Sequence, residues 1–295
     1  MTSFNIGELS VSRVEERLGP GFAPNVLLPD WNKTAIAPHL SWLVPNYYDA
    51  AQDKLVSSLH SWVIRTKHHT ILIDTCAGNH KDRPSMPRFH MLDTPYLDRL
   101  KAAGVDPAKV DFVLCTHLHI DHVGWNTRLE NGRWVPTFPN AKYVFSKVDR
   151  DFFHGESGAG GKAGDGPKIW ADSILPVIES GQAMAVDMTH KLGDGLLIEP
   201  APGHSPGHVV LKAQSKGEEA LFVGDVLHHP MQIYETAWSS AFCSDPAQAR
   251  VSRRNVLAHC ASQGSLLCPA HFGIPHLGRI TEKGGKFTFK AGLTA

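Results

Sequence analysis

The sequence predicts a layered α/β protein, because apolar strands alternate with helical segments and end in polar loops. Residues 110–116 (VDFVLCT) are apolar and largely β-branched or aromatic, which indicates a buried strand. In the last third of the chain, a helix expected at 246–261 precedes a last strand at 265–268. Three further strands there each run into a loop rich in His, Asp or Gly: residues 196–199, 208–213 and 220–223. Strands on both sides of helices are typical of this fold class.

The first half of the chain contributes a hairpin and a helix. Residues 59–66 and 70–74 have strand character and are joined by a polar Lys-His-His turn, which predicts an antiparallel pair. Residues 94–103 have helical spacing, with Thr94 as the expected N-cap, a proline in the first turn and Gly104 as the stop signal.

A glycine-rich segment interrupts the middle of the chain. Before it, residues 141–145 form an expected strand, and Ser146 is placed to cap a helix that runs through Phe153. Residues 155–166 contain six glycines and almost nothing apolar, which predicts a loop. No GxxxxGK[ST] register fits this segment, so nucleotide binding is not predicted. Residues 170–180 are expected to be helical.

The composition is that of an ordinary globular protein and excludes several functions. The 29 Lys and Arg residues balance the 29 Asp and Glu residues, so the positive surplus that nucleic-acid binding requires is missing. There is no apolar run of about 18 residues and no signal peptide, so we expect a cytoplasmic protein without membrane association. Five scattered cysteines without a CxxC pair argue against a disulfide framework. Without a linker or repeat, residues 1–295 are expected to form one domain, in which residues 1–50 are an N-terminal extension of less clear assignment.

The most informative segment is His117-Leu118-His119-Ile120-Asp121-His122, which directly follows the strand at 110–116. Residues two apart in an extended chain point the same way, so His117 and His119 are expected to share one direction while Asp121 and His122 turn toward a second point. Such a split set suits two cations, and zinc favours His nitrogen and carboxylate oxygen. Three other expected strand ends offer the missing donors: His204, Asp225 and His271.

The motifs HxHxDH, PGHSPGH, VGD and PAH, in this order and preceded by Leu72-Ile73-Asp74, resemble those of the metallo-β-lactamase superfamily. The resemblance implies a four-layer αββα sandwich with two Zn²⁺ ions, or other divalent metals, at one sheet edge. Asp74 would orient a ligand loop without touching metal. The implied ligands are His117, His119 and His204 for the first ion, Asp121, His122 and His271 for the second, and Asp225 as the bridge.

Within the superfamily, the chain is most similar to methyl parathion hydrolase and the acyl-homoserine lactonases. The similarity rests on Gly224-Asp225 and on residues 245–254 and 270–289. It implies a hydrolase in which a metal-bound hydroxide attacks a lactone, aryl ester or phosphotriester. Classical β-lactamases usually have Cys at the place of Asp225, and flavo-diiron oxidoreductases usually have Glu at the place of His119. An iron-dependent oxidoreductase on the same fold and a β-lactamase-like amide hydrolase stay open as alternatives.

His228 is expected to be catalytic, together with Asp121 and Asp225. It lies three residues after Asp225, where the lactonases commonly have a Tyr that reaches the substrate. Two nearby cations favour a neutral imidazole, which could donate one N–H to a developing oxyanion. The alternative is a histidine that only hydrogen-bonds a neighbouring loop. His208 and His276 adjoin the ligands but are expected to be structural.

The expected partner is a small-molecule substrate, uncharged and partly apolar. The glycine-rich loop at 155–166 is expected to border its pocket. A homodimer is an open alternative. Aromatic residues near the ligands or the loop could line the pocket, although core packing explains each equally well: Trp125, Trp170, Trp238, Phe152 and Phe272.

Overall fold

The computed structural model describes residues 3–154 and 164–293, and in these ranges it contains two large sheets and one separate hairpin. The first sheet consists of β1 (Ser3–Ile6), β2 (Leu9–Pro20), β3 (Tyr48–Asp49), β4 (Lys54–Arg65), β5 (Thr70–Ile73), β6 (Phe112–Leu114), β9 (Lys142–Ser146) and β10 (Ala183–Val186). The hairpin pairs β7 (Thr127–Glu130) with β8 (Arg133–Pro136). The second sheet consists of β11 (His190–Gly193), β12 (Leu196–Pro200), β13 (Val209–Ser215), β14 (Glu218–Gly224), β15 (Leu266–Pro269), β16 (Gly278–Lys283) and β17 (Lys286–Ala291).

The helices lie between these strands, and most of them are short. They are α1 (Pro24–Leu27), α2 (Lys33–Ile36), α3 (Leu40–Leu43), α4 (Tyr96–Ala102), α5 (Lys147–His154), α6 (Gly166–Ile169), α7 (Leu175–Glu179), α8 (Met231–Tyr234) and α9 (Pro246–Gln263). Short 3₁₀ turns occupy residues 37–39, 107–109 and 124–126, and a π-helical turn at 170–174 joins α6 to α7. In the described ranges, no helix combines the length and the apolar character that crossing a membrane requires.

The sheets pack face to face, with helices on both outer faces. The neighbouring residues Val113 and Leu114 of β6 point to opposite sides, as strand geometry requires. Leu114 faces the second sheet in a core that includes the edge-to-face pair Trp62–Phe222, whose ring centroids lie 5.8 Å apart. Val113 packs outward with Tyr96 of α4. A third apolar cluster lies between the second sheet and helices α1, α2, α3, α8 and α9. The four-layer αββα expectation is therefore confirmed.

The strand pairings explain why the site can form at one edge. β4 and β5 make the expected antiparallel hairpin, with Trp62 opposite Ile73, and β5, β6 and β9 then run parallel. In the second sheet β14 is parallel to β15, and β12 runs in the same direction because each of them is antiparallel to β13. The loops that follow β12, β14 and β15 consequently meet at the same edge of the sheet.

Two details of the expected secondary structure are wrong. β15 is not the last strand, because the hairpin of β16 and β17 follows it at the edge of the sheet. One face of this hairpin is exposed and charged, which obscures the apolar pattern of its strands in the sequence. Helix α4 begins at Tyr96 with Pro95 as its N-cap, while the hydroxyl of Thr94 binds Asn79 Oδ1 instead. By contrast, residues 170–180 are helical as expected, with the π-helical turn followed by α7. The hydroxyl of Ser146 also caps α5 as expected, by accepting the N–H of Asp149 at 3.0 Å.

The segment before α4 is fixed to the π-helical turn by a buried cluster of charges. The ammonium of Lys81 is fully buried; it donates to Thr127 Oγ1 at 2.6 Å and to the carbonyl of Asp172 at 2.9 Å, and it lies 3.6 Å from the ring centroid of Trp134. Arg83 binds both carboxylate oxygens of Asp172 at 2.7 Å. This bidentate pair is the geometry in which buried ions are best compensated.

Lys81 should make stability depend on pH. Burial lowers its pKa from 10.5 to about 7, although the Asp172 carboxylate opposes the shift. Between these two pH values the unfolded chain binds a proton that the folded chain does not, so folding becomes more favourable as the pH rises. We expect the free energy of unfolding of the wild type, relative to that of Lys81→Met, to increase from pH 7 to pH 10. Urea titrations measure it, with the exposed Lys101→Met as control; a difference independent of pH would contradict the prediction.

Candidate metal centre and substrate cavity

All seven expected ligands converge at the edge where the two sheets meet. The segment 117–122 follows β6, and His204 lies in the loop between β12 and β13. Asp225 and His271 come directly after β14 and β15. The N–H of Val209, at the start of β13, donates to the carbonyl of Thr116 at 2.9 Å and so joins the two sheets at this point. Six of the seven residues are almost entirely buried, and the side chain of Asp121 is 15% exposed.

The first group of donors surrounds one carboxylate oxygen of Asp225. Nε2 of His204 lies 2.8 Å from Nδ1 of His119 and 3.1 Å from Oδ2 of Asp225. Nε2 of His117 lies 3.8 Å from the same oxygen. The donor atoms of His117, His119 and His204 lie within 4.8 Å of one another.

The second group surrounds the other oxygen of Asp225. Oδ1 lies 3.0 Å from Nε2 of His271 and 3.3 Å from Nε2 of His122. The carboxylate of Asp121 completes this group, with one oxygen 3.7 Å from His122 Nε2 and the other 3.6 Å from His271 Nε2. Asp225 thus divides its two oxygens between two sets of donors.

These atoms fit two divalent cations. Ligands about 2.0–2.1 Å from a tetrahedral zinc ion are separated by about 3.3 Å, close to the spacings observed here. Within the described residues, His117 Nε2 and Asp225 Oδ1 are buried and make no hydrogen bond of their own. Buried polar atoms without partners are costly, and a bound cation would satisfy both of them.

The charges of the site agree with this fit. Burial, together with neighbouring imidazoles, lowers the pKa of His117 and of His119 well below the ordinary value, and burial lowers that of His204 to about 3. Neutral imidazole is the form that binds metal. Burial alone would lower the pKa of His122, but the carboxylates of Asp225, Asp74 and Asp121 raise it well above the ordinary value. The half of the site with more carboxylates therefore attracts positive charge.

Asp74 orients this site, as the resemblance implies. Its Oδ2 accepts from Nδ1 of His122 at 2.8 Å, which leaves Nε2 of that ring free to face the cluster. Its Oδ1 accepts the N–H of Thr116 at 2.7 Å and thereby fixes the residue before His117. Asp74 holds a left-handed backbone conformation, with φ of 56°. On the other side of the site, the carbonyl of Ser58 lies 3.0 Å from His271 Nδ1.

The remaining histidines of the motifs separate into two kinds. His208 accepts the backbone N–H of Asp225 at 3.1 Å, and Nδ1 of His276 lies 2.8 Å from the carbonyl of Phe272, so both make structural hydrogen bonds as expected. His228 differs, because its Nε2 lies 3.1 Å from Asp225 Oδ2 and its ring lines the cavity above the cluster.

The cavity opens over the donors and holds about 810 Å³ of empty space, its mouth included. The aromatic residues singled out from the sequence do not line it; Trp125, Trp238 and Phe272 are core residues. Residues 155–163 of the glycine-rich segment lie outside the described ranges, but Asp165 and Gly166 at its end do line the cavity. The apolar wall comes from residues that no motif marks: Phe22, Leu27, Leu59, Met86, Phe89, Ile120, Ile169 and Phe242.

A buried carboxylate on α5, which sequence reasoning missed, fastens both ligand loops. Asp149 accepts the hydroxyl of Ser205 at 2.7 Å and the N–H of Gly207 at 2.6 Å, both in the loop that carries His204. It also accepts the N–H of Leu118, between His117 and His119. Burial raises its pKa to about 6. No metal-binding pattern in the sequence includes this residue, because it lies 27 positions or more from either loop.

Comparison with known proteins supports the architecture. The family model of the metallo-beta-lactamase superfamily matches residues 57–271. An N-acyl homoserine lactonase, AttM, from Rhizobium radiobacter is 32% identical over 134 residues, 44% of this chain and 46% of that protein. A hydroxyacylglutathione hydrolase from Synechococcus is 29% identical over 149 residues, 44% of this chain and 47% of that protein. The chain thus spans about half the length of the curated relatives it matches.

Solved structures resemble the whole fold. The hydrolase AbOPH of the beta lactamase superfamily aligns with a TM-score of 0.82 and 23% identity, over 99% of this chain and 97% of its own. AidC, a dizinc quorum-quenching lactonase in complex with a product, aligns with a TM-score of 0.80 and 21% identity, over 100% of this chain and 98% of its own. At such identities the likeness establishes the shared fold.

Removing Asp149 should loosen metal binding without touching a ligand. We expect Asp149→Ala to weaken metal retention about 10- to 100-fold, the usual effect of losing a group that orients ligands, because both loops lose a shared acceptor. A chelator titration followed by metal analysis measures this, with Asp151→Ala as an exposed control on the same helix. Thermal unfolding of the metal-free proteins separates loop loosening from general destabilisation. Equal metal retention in both variants would refute the positioning role.

Proposed function

The chain belongs to the metallo-β-lactamase superfamily, and from this premise we propose that it is a metal-dependent hydrolase of ester-type bonds. The observation that carries the proposal is the division of the Asp225 carboxylate between two sets of donors, with one oxygen 3.1 Å from His204 and the other 3.0 Å from His271. A carboxylate placed in this way suits a dinuclear centre.

The proposed cofactor is a pair of zinc ions, for which other divalent metals could substitute. His117, His119 and His204 would hold the first ion and Asp121, His122 and His271 the second, with Asp225 between them. When bound, the ions supply the Lewis acidity that activates water and polarises the substrate oxygen. The described residues offer six imidazoles, that of His228 included, and two carboxylates in groups that could hold a metal, a donor set that favours zinc.

Asp121, Asp225 and His228 would act on the reacting groups. Asp121 and Asp225 lower the charge of the centre to about +1 when two divalent ions and a hydroxide are counted. His228 lines the cavity next to Asp225 and could donate an N–H to the oxygen that becomes negative as the ester carbonyl or phosphoryl is attacked.

The proposed substrate is a small molecule with an apolar part, such as a lactone, an aryl ester or a phosphotriester. The cavity supports this class because its wall is largely apolar and its floor carries the donor cluster. A curated relative named N-acyl homoserine lactonase supports lactones among these candidates. We further propose that residues 1–295 form one domain that works in the cytoplasm without nucleic-acid or membrane partners, as monomer or homodimer.

A hydrolysis screen of the metal-loaded protein tests the function. We expect turnover of a lactone, an aryl ester or a phosphotriester, with two zinc-type ions per chain. Asp225→Asn should lower turnover by orders of magnitude and release metal, because it removes charge shared by both ions. Asp187→Asn, a matched change at an exposed carboxylate, should do neither. One iron per chain together with oxygen consumption would favour the oxidoreductase alternative, and turnover of a β-lactam alone would favour the amide hydrolase.

His228→Leu tests the proposed hydrogen-bond donor. The change should lower kcat by roughly 10- to 1,000-fold, the scale of losing one oxyanion donor or general acid, while both metals remain bound. Steady-state kinetics and metal analysis measure the two effects, and the exposed His68→Leu serves as control. An unchanged kcat on both ester and lactone substrates would return His228 to a purely structural role.

A further inference from the structure

A guanidinium group lines the same cavity as the donor cluster. Arg88 lies in the segment before α4, and its side chain reaches the cavity that Asp121, Asp225 and His271 also line. Its Nη2 donates to the hydroxyl of Ser57 at 2.9 Å and its Nη1 donates to a backbone carbonyl at 3.2 Å. Arginine carries five N–H donors, so three remain after these two hydrogen bonds.

Arg88 has no carboxylate partner, in contrast to some of the other partly buried arginines of this chain. In the described ranges, no Asp or Glu oxygen lies within 4.0 Å of its guanidinium, whereas Arg83 pairs with Asp172 and Arg13 with Glu15. Arg253 also has no such pair, but three backbone carbonyls satisfy it within the core. Arginine stays charged at all physiological pH values, so the open side of Arg88 faces the cavity as an unpaired cation.

The position of this guanidinium is fixed by its surroundings. Its carbon lies 5.7 Å from the ring centroid of Phe22, a cation–π arrangement. Gly21 leaves the space for it, since a Cβ there would lie 2.8 Å from Arg88 Nη1. The partner hydroxyl, on Ser57, belongs to a residue that is bridged to Phe272, next to His271. Arg88 is thereby held at a set distance from the donor cluster.

We propose that Arg88 and Ser57 form a subsite for a second oxygen acceptor of the substrate, a carboxylate or an amide carbonyl separate from the bond that is cleaved. The inference rests on the proposed hydrolase function and narrows its substrate class. The apolar wall would take the hydrocarbon part of the same molecule, and the planar fork of Arg88 would orient it.

Binding to the metal-free protein tests the subsite without hydrolysis. The probes are phenylacetate, phenylacetamide and ethylbenzene, which share size and ring but differ in the acceptor. Arg88→Met should weaken binding of phenylacetate or of phenylacetamide by about 10-fold or more, the loss of a hydrogen bond to a charged group, and leave ethylbenzene unchanged. Which of the two polar probes is affected identifies the acceptor. Equal effects on all three probes would overturn the proposal.

Two further variants separate recognition from structure. Arg88→Lys keeps the charge but loses the fork, so we expect it to recover only part of the affinity. The exposed Arg133→Met, the same change elsewhere, should alter no probe. Calorimetry gives the affinities and thermal unfolding shows whether each variant is folded. If Arg88→Met does not fold, Ser57→Ala, which removes the other half of the subsite, should reduce affinity for the same probe, and no reduction would overturn the subsite.

Turnover then links the subsite to the proposed function. Relative to the wild type, Arg88→Met should lower kcat/KM about 10- to 100-fold for an ester that carries the identified acceptor. For the counterpart without the acceptor, the decrease should be less than about threefold. Equal losses for both esters would overturn the role of Arg88 in specificity. If the wild type hydrolyses neither ester, the hydrolase proposal is contradicted. The binding results would then still show whether Arg88 and Ser57 form the subsite.

Discussion

The carboxylate of Asp225 is the group on which the rest of the site depends. It is buried between imidazoles on both sides: those of His271, His122, His228 and His204 lower its pKa well below the usual range, against the effect of burial. A buried charge is stable only when it is compensated, and here the compensation is arranged around each oxygen separately. The strand order of the second sheet provides this arrangement, because Asp225 follows the end of β14 directly beside β15, which leads to His271.

The sequence was sufficient to predict that these side chains come together, because they are close to strand ends. A strand end fixes both the position and the direction of the next few residues, so the pattern HxHxDH after a buried strand already specifies a split set. The role of Asp74 was implied by the family resemblance alone, and the structure shows its contacts to His122 and Thr116. His228 was identified by its distance from Asp225 along the chain, and the structure brings its ring to the cavity.

The cavity wall could not be predicted in the same way. Phe22, Phe89 and Phe242 come from segments far apart in the chain, and only long-range packing brings them together. The pairing of β2 with β4 brings Gly21, which follows β2, next to the side chain of Arg88, and no local sequence pattern encodes this contact. Asp149 was missed for a related reason: one buried acid on a helix has no sequence signature until the loops that it fastens are known.

The donors and the cavity wall are held by different contacts, which bears on how the cavity could change to accept another substrate. The donors project from strand ends held by both sheets and by buried acceptors such as Asp74 and Asp149, so the packing of the strand ends and the position of the donors share the same contacts. The wall is carried by irregular segments, one of which is tied down at a distance by the Arg83–Asp172 pair. Substitutions at Phe22, Phe89 or Arg88 alter the shape and polarity of the cavity while the ligand loops keep their own supports. The donor cluster and the cavity wall therefore depend on separate sets of contacts in the same fold.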